Sequence, residues 1–378
     1  MRLESFSHLA LQQNMQELGL TEEILASKCK LKPEAVRGLL TGTVKPKLAQ
    51  AAELCSVLNV DLDQIQATQV CKPELVKISF RRLGTSEALG YRARWEIRQA
   101  QRLRDTYLRL YSNHQDQQKF DLKRGKTIEE SARLYREQWQ WVDLRNQTLK
   151  KYKDKPDSVG RELFLRARLF IEKLGVLTFT TNYHHAHKIP LSEFRGLLIE
   201  HQQFPVILIN YHDHWAAKLF TLLHEFAHLL YHDKSDDQST EKDCNHFAAE
   251  FLIPVDELIS FYSSNNDVSV DSVAIRFGVS RYCAAYAMYR VKKLTESELN
   301  EIRIQSSLYK KSKQPNSGGG QHSYRNQLLA TSPSIWQFAL TAFEQGIIGP
   351  TTYSELTGFP VDTSLDQVSS FQVRDQWQ

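Results

Sequence analysis

The sequence "FTLLHEFAHLLYH", residues 220–232, is apolar almost throughout, yet it carries several polar side chains. On a helical wheel at 100° per residue, its apolar side chains fill one broad arc. The polar residues share the remaining arc, which contains Thr221, His224, Glu225, His228 and His232. Burying such a polar arc is costly unless something pairs with it. The pattern therefore predicts a helix over about 215–232 with a polar site along one side.

The polar arc has the spacing of a metal site. His224 and His228 are four residues apart, so both imidazoles can point at one ion. Glu225 lies one step round the helix, where it can take a proton from a water on that ion. This is the H-E-x-x-H pattern of zinc peptidases. The alternative is a pair of buried, hydrogen-bonded histidines with no metal.

A catalytic zinc takes three protein ligands and keeps one position open. The downstream segment "DDQSTEKDCNHFAAEFLIP" predicts a helix that is capped by Ser239 or Thr240 and stopped before Pro254. On its wheel Glu241 lies about 50° from the centre of the apolar stripe and Glu250 about 130° away. We therefore expect Glu241 to face the first helix as the third ligand. The alternative for Glu241 is an acidic first-turn residue that stabilises the helix N-terminus.

Strands are predicted just before the first of these helices. "GRELFLRARLFIEKLGVLTFTT" indicates a helix ended by Gly175 and then a strand, and "FRGLLIEHQQFPVILIN" indicates a hairpin. We expect a small antiparallel sheet. Its edge strand could take an extended peptide by main-chain pairing and lay the scissile bond over the metal.

Composition limits the class of protein. The chain has 378 residues, 41% of them apolar and 24% charged, with a net charge of +4. This charge is too small to establish a nucleic-acid partner. Five scattered cysteines without C-x-x-C argue against a thiolate zinc site and a disulfide framework. No signal-peptide pattern and no bilayer-length apolar run of about 20 residues is present. We expect a cytoplasmic protein with no membrane partner.

Residues 5–68 predict a small all-helical unit with an N-cap at Thr21 and a turn at Thr41 and Gly42. This unit resembles the XRE-type helix-turn-helix of phage and bacterial repressors. The resemblance implies a recognition helix over 32–40 and binding to duplex DNA as a homodimer over two half-sites. The cations that could meet phosphates or base edges are Lys28, Lys32, Arg37, Lys45 and Lys47. The alternative is a helical module that docks a protein.

Residues 72–150 interleave tryptophans and tyrosines with arginines. Such a pattern could suit single-stranded nucleic acid through base stacking. Such stretches are more often amphipathic helices with solvated outer faces. We predict a helical connector here.

The segments "LLHEFAHLLYH" and "EKDCNHFAAEFLIP" resemble the ImmA/IrrE family of metallopeptidases, which pairs HExxH with E-x-x-A-N-x-F-A-A-x-x-L-x-P. The matching positions are Glu241, Asn245, Phe247, Ala248, Ala249, Leu252 and Pro254. Cys244 replaces the usual alanine. The resemblance spans about 160–360 and includes "VSVDSVAIRFGVSRYCAAYAMYRVKKL" as a helix-turn-helix-like segment. It implies a gluzincin-type peptidase that cleaves repressor proteins during stress or prophage induction.

Together these patterns predict a mostly α-helical α+β protein. Its predicted parts are a helix-turn-helix domain at 1–70, a helical connector at 71–155, a gluzincin-like zinc peptidase domain at 156–300, and a C-terminal Gly-rich loop with a helical extension at 301–378. Two other classes stay open. One is a DNA-binding regulator whose peptidase-like domain is inactive or only senses, and the other is an antitoxin-like binding partner.

The predicted chemistry is zinc-dependent peptide hydrolysis, with manganese as a substitute in vitro. His224 and His228 would bind the ion through neutral imidazoles and Glu241 through its carboxylate. Glu225 would act as the general base. His322 or Tyr324, on the Gly-rich loop "GGGQHSY", would stabilise the oxyanion. The predicted partner is a protein substrate, a repressor or another regulator.

Overall fold

The fold is built on one small sheet with helices against both of its faces. The computed structural model describes residues 3, 5–66, 78–81, 89–112, 122–153, 155–182, 187–231, 237–308 and 328–359. Most of these residues are helical, so the predicted α+β class is confirmed. Along the described part of the chain, no helix has both the length and the apolar character needed to cross a membrane.

The sheet contains four strands in the order β1-β3-β4-β2. The strands are β1 (Ile78–Arg81), β2 (Leu177–Thr180), β3 (Gly196–Ile199) and β4 (Val206–Ile209). β3 pairs antiparallel with both β1 and β4, which confirms the predicted β3–β4 hairpin. β2 pairs parallel with β4, so the prediction of an antiparallel sheet is wrong. In the structure β4, rather than β3, lies beside β2. Because β3 and β4 run in opposite directions, this choice of neighbour makes β2 and β4 parallel.

Both faces of the sheet are buried. On one face, Leu198 and Ile207 pack in a core with the helix that carries the His-Glu-His pattern. On the other face, Leu197 and Leu208 pack against Ile97 and other residues of a long helix before the sheet. All residues of β2, β3 and β4 are buried for this reason. Such continuous burial suits short apolar runs without polar alternation.

The N-terminal module consists of five helices around their own core. They are α1 (His8–Glu17), α2 (Glu22–Lys28), α3 (Pro33–Leu40), α4 (Leu48–Leu58) and α5 (Leu62–Gln66). The side chain of Thr21 accepts a hydrogen bond from the backbone N–H of Ile24, as an N-cap does. Gly42 has a φ of +72°, which ends α3 in a turn that glycine adopts without strain. The predicted N-cap and turn are confirmed.

The predicted connector at 71–155 contains, in its described residues, three helices and strand β1, and the sequence did not indicate the strand. Its helices are α6 (Tyr91–Ser112), α7 (Ile128–Gln138) and α8 (Trp141–Lys151). α6 packs one face on the sheet through Ile97 and Leu103. Its other face holds the N-terminal module: Arg98 donates to the carbonyl of Leu58 at 2.8 Å and to Glu17 Oε2 at 2.6 Å.

The helices that follow enclose the sheet. α9 (Pro156–Lys173) is followed by Gly175 at a φ of +87°, in agreement with the predicted helix end. α10 (Trp215–Tyr231) and α11 (Asp237–Leu252) come after the hairpin. α11 starts two residues before Ser239, so the predicted N-cap at Ser239 or Thr240 is wrong. The helix begins at Asp237 and therefore includes Ser239 and Thr240.

Further helices pack against α10 and α11 and against the sheet. They are α12 (Val255–Ser264), α13 (Val270–Phe277), α14 (Arg281–Arg290), α15 (Glu296–Leu308), α16 (Pro333–Glu344) and α17 (Pro350–Thr357). Gly278 ends α13 at a φ of +67° and Ser280 caps α14, so two helices joined by a short turn occupy the segment predicted to be helix-turn-helix-like. The start of α16 is fixed by buried Glu172, which accepts hydrogen bonds from Ser332 Oγ and the N–H of Ser334.

Candidate metal centre

α10 and α11 bring three donor side chains to one point. His224 Nε2 lies 3.3 Å from Glu241 Oε2, and His228 Nε2 lies 3.1 Å from Glu241 Oε1. The two imidazole Nε2 atoms are 3.2 Å apart. Over the residues that the structure describes, this is the one group of three or more histidine, cysteine or carboxylate side chains whose geometry could hold a metal ion.

The three-residue group lies on a buried face of α10 and is open to solvent on one side. His224 and Glu225 are fully buried, and His228 is 6% exposed. The side chain of Glu241 is 41% exposed, so the group reaches solvent on the α11 side. The two imidazoles, four residues apart on α10, thus lie on a buried helix face, and the carboxylate comes from α11.

The orientation of α11 follows from its apolar stripe. Cys244, Phe247, Ala248 and Phe251 are all fully buried in the core that α11 shares with α10. Because this stripe faces α10, the side chain of Glu241 lies beside the two histidines. The side chain of Glu250 lies on another side of α11, away from them.

Glu250 sits in a separate ion-pair cluster. Its Oε2 is 3.1 Å from Arg290 Nη1 and its Oε1 is 3.6 Å from Arg136 Nη1. The structure therefore brings together His224, His228 and Glu241 and leaves Glu250 out, as the wheel predicted.

Charge in the site favours a bound cation. Burial by itself would raise the pKa of Glu241, but hydrogen bonds with His224 and His228 outweigh it and hold that pKa well below its usual range. Burial lowers the pKa of His228, but the hydrogen bond with Glu241 and the nearby charge of Glu225 raise it overall. The carboxylate is therefore ionised, and the group attracts positive charge.

Gly196 of β3 makes room for the polar side of α10. A Cβ built on Gly196 would overlap Cγ2 of Thr221 and would lie 3.3 Å from Cγ of Glu225. β3 can run this close to α10 only because position 196 has no side chain. Sequence reasoning missed Gly196. The available signal was a glycine at the start of the apolar run "GLLI", where a glycine marks a close backbone approach.

The other predicted site residues do not lie at the metal centre or are not described. His322 and Tyr324, the predicted oxyanion donors, lie outside the described residues, as does His232. Lys32, Arg37, Lys45 and Lys47 are exposed on the N-terminal module.

Lys28 differs from the other four cations predicted to contact DNA. It is half-buried, and its Nζ lies 4.2 Å from the centroid of the Tyr91 ring on α6. Lys28 therefore contributes to the contact between α2 and α6.

Comparison with known proteins adds one match. Residues 171–289 match the Peptidase_M78 family model, described as the IrrE N-terminal-like domain. No curated protein and no solved structure matches the chain. The matched range runs from the end of α9 into α14, so it contains the hairpin, α10, α11 and the whole three-residue group. It contains neither the N-terminal module nor β1. The match supports assigning this part of the chain to the ImmA/IrrE family of metallopeptidases.

Proposed function

We propose that the protein is a zinc-dependent endopeptidase that works through the HExxH helix α10. The observation that carries the proposal is the convergence of His224, His228 and Glu241 beside the buried Glu225, all within the matched peptidase range. A peptidase acts on a protein or peptide substrate. The remaining assignments concern which ion is bound and which residue does what.

The donor set fits zinc. Zn–N and Zn–O bonds of about 2.0–2.2 Å place tetrahedral ligand atoms roughly 3.3–3.5 Å apart. The three separations here are 3.1, 3.2 and 3.3 Å. Two imidazoles and one carboxylate also form one of the ligand sets of catalytic zinc sites, which keep a fourth position open. His224, His228 and Glu241 would hold the ion.

When bound, zinc supplies Lewis-acid chemistry: it polarises the scissile carbonyl and lowers the pKa of water. Glu225 accepts the proton of the attacking water on its carboxylate and passes it to the nitrogen of the leaving amine. Burial keeps the Glu225 carboxylate away from bulk solvent, and the Glu225 side chain lies close to the backbone of Gly196. β3 runs beside Glu225, and both of its edges are bonded, one to β1 and the other to β4.

The substrate class that we propose is a repressor or another regulatory protein, and the N-terminal module is proposed to bind duplex DNA. The support for DNA binding is the five-helix arrangement, in which Pro33 starts the proposed recognition helix, and the exposed cations around it. Stress or prophage control follows from the family resemblance. The competing function is a DNA-binding regulator whose metal domain only senses.

The test separates metal binding from proton transfer. The full-length chain is incubated with zinc and the repressor encoded nearest to its gene, with labelled casein as a general probe. Glu225→Gln should keep one zinc per chain by elemental analysis and lose cleavage by about 10²- to 10⁴-fold, because only the proton acceptor is removed. His224→Ala should lose both the zinc and the cleavage.

Two results would contradict this assignment. Full activity in Glu225→Gln would show that another base operates. A wild-type chain that binds zinc and cleaves neither protein would favour the sensor.

A further inference from the structure

β1 is an addition to the matched domain. Residues 78–81 precede the start of the matched range, residue 171, by about ninety positions in the sequence. β1 nevertheless pairs with β3 along its whole length, with Ile78 opposite Ile199 and Arg81 opposite Gly196. Within the matched range, β3 has one strand neighbour, β4, on its inner side. β1 therefore covers the edge that the matched domain by itself would leave open.

That edge runs beside the metal centre. Gly196, at the start of β3, lies against Thr221 and Glu225 of α10. β3 packs along α10, and Gly196 is its point of closest approach to the proposed base. β1 itself also contacts α10.

β3 is a described strand whose backbone lies beside Glu225, and an extended substrate that pairs with it needs a free edge of β3. The inner edge of β3 is bonded to β4, so an extended substrate would use the outer edge. β1 already occupies that outer edge, in the antiparallel direction and opposite the residues nearest Glu225. A substrate strand and β1 cannot both be bonded there, because each backbone group of β3 that points outward serves one neighbour.

We infer that β1 is a built-in competitor of the substrate: it holds the outer edge of β3, and cleavage requires it to leave. The inference rests on the proposed peptidase function. β1 is suited to leave because it has four residues and pairs with β3 alone among the described strands. Short edge strands with one partner are the least firmly held strands of a sheet.

The position of β1 in the chain links it to the N-terminal module. β1 lies between α5, which ends at Gln66, and α6, which begins at Tyr91. A hydrogen bond and an ion pair hold the module against α6. Tyr91 Oη donates to the carbonyl of Val57 at 2.7 Å, and Arg98 pairs with Glu17 at 2.6 Å. In the chain, the N-terminal module precedes β1 and α6 follows it. A partner that pulls the module away from α6 would therefore separate the two elements between which β1 lies.

The test weakens the backbone pairing of β1 and leaves the metal centre intact. Successive residues of a strand donate to opposite sides, so the double variant Ser79→Pro/Phe80→Pro removes the donor that faces β3 in either register. The matched control is Ser79→Ala/Phe80→Ala, which loses the same side chains and keeps both N–H groups. Both are made in the full-length chain and checked for unchanged zinc content.

Three measurements are made on wild type and both variants. Hydrogen exchange is followed over 196–199, with 206–209 as the internal standard for an intact sheet. Binding is measured for a labelled peptide with the sequence "VKISFRRL", residues 76–83. Cleavage of labelled casein is measured with and without that peptide.

The proline variant should exchange the amides of 196–199 about tenfold faster or more, with 206–209 unchanged. It should bind the peptide roughly tenfold more tightly than wild type, because the internal competitor is gone. Casein cleavage should rise by about the same factor and fall again when the peptide is added. The alanine control should behave like wild type.

Other results separate the two proposals. Unchanged exchange and equal peptide binding in the proline variant would overturn the inference, as would faster exchange with no gain in an active enzyme. If the proline variant exchanges faster and binds the peptide while no form of the chain cleaves casein, the proposed peptidase function fails and the competing role of β1 at the edge of β3 stands.

Discussion

The metal centre on α10 and α11 and the N-terminal module on α1–α5 use charged side chains in opposite ways. At the metal centre, His224, His228 and Glu241 converge until their donor atoms are 3.1–3.3 Å apart, in a wall where His224 is fully buried. On the N-terminal module, Lys32 and Arg37 are exposed and their charges lie in solvent. The first arrangement has the geometry to hold a metal ion, and the second is an ordinary exposed surface with positive charge.

The difference has an energetic origin. A buried polar group is costly unless fixed partners compensate for it, so a buried cluster of donors is informative about function. An exposed lysine costs nothing, and most exposed cations are simply solvated. Arg37, whose side chain is 65% exposed, already forms a 3.3 Å ion pair with Glu22, a pair of the kind that contributes little to stability.

α6 shows how easily cations mislead. Its arginines are interleaved with aromatic residues in the sequence, yet two of them serve the packing of the N-terminal module. Arg94 donates to the carbonyl of Glu17 at 2.9 Å and Arg98 to that of Leu58 at 2.8 Å. These carbonyls end α1 and α4, where the helix dipole favours positive charge. The range predicted to be a helical connector contains α6, α7 and α8.

The largest expected effect tests the converging site. Glu241→Ala should weaken zinc binding by more than about 100-fold, because removing a ligand should cost more than the 10–100-fold typical of an outer-shell partner. Glu250→Gln is the matched control: it should keep zinc affinity and lower the free energy of unfolding by about 3–5 kcal/mol, since it removes the carboxylate that pairs with Arg136 and leaves Arg290 with the longer 3.8 Å contact to Glu129. A competition titration and a urea melt measure the two quantities. If Glu250→Gln lost zinc and Glu241→Ala did not, the third ligand would be wrongly assigned.

A smaller effect should follow from closing the gap between β3 and α10. Gly196→Ala places a methyl group on Cγ2 of Thr221 and should destabilise the protein by about 1–3 kcal/mol, with a loss of peptidase activity. Thr221→Ser removes that Cγ2 and keeps the hydroxyl, so the double variant should recover much of the loss. A double-mutant cycle on thermal unfolding measures the coupling. If the two changes in the free energy of unfolding were additive, the side chain introduced at position 196 would not contact Thr221 of α10.

The smallest expected effect tests the exposed cations. If the N-terminal module contacts DNA phosphates, affinity for duplex DNA from upstream of the gene should fall with salt at a log–log slope of about −0.9 per contact. Arg37→Ala should make that slope shallower by roughly one contact. Lys28→Ala is the control, because Lys28 lies over the Tyr91 ring and should leave the slope unchanged. Fluorescence anisotropy with the full-length chain provides the measurement. No binding at low salt by the wild type would favour a protein-docking module.

Local sequence patterns were enough to predict the elements of the site. The polar arc of α10 and the apolar stripe of α11 follow from a period of 3.6 residues, and this period also separates Glu241 from Glu250. Thr21, Gly175 and Gly278 mark helix ends through caps and positive φ values that involve only neighbouring residues. A period or a cap depends on a few adjacent residues, so it can be recognised before the fold is known.

The partners of those elements could be found only in the folded chain. A period shows which face of a helix or strand is buried, but it does not show what that face is buried against. The parallel pairing of β2 with β4, the docking of β1 on β3 and the approach of Gly196 to Glu225 all join residues far apart in the sequence. Such contacts depend on how whole elements fill the space around one core, because the same apolar strand is compatible with either neighbour and either direction.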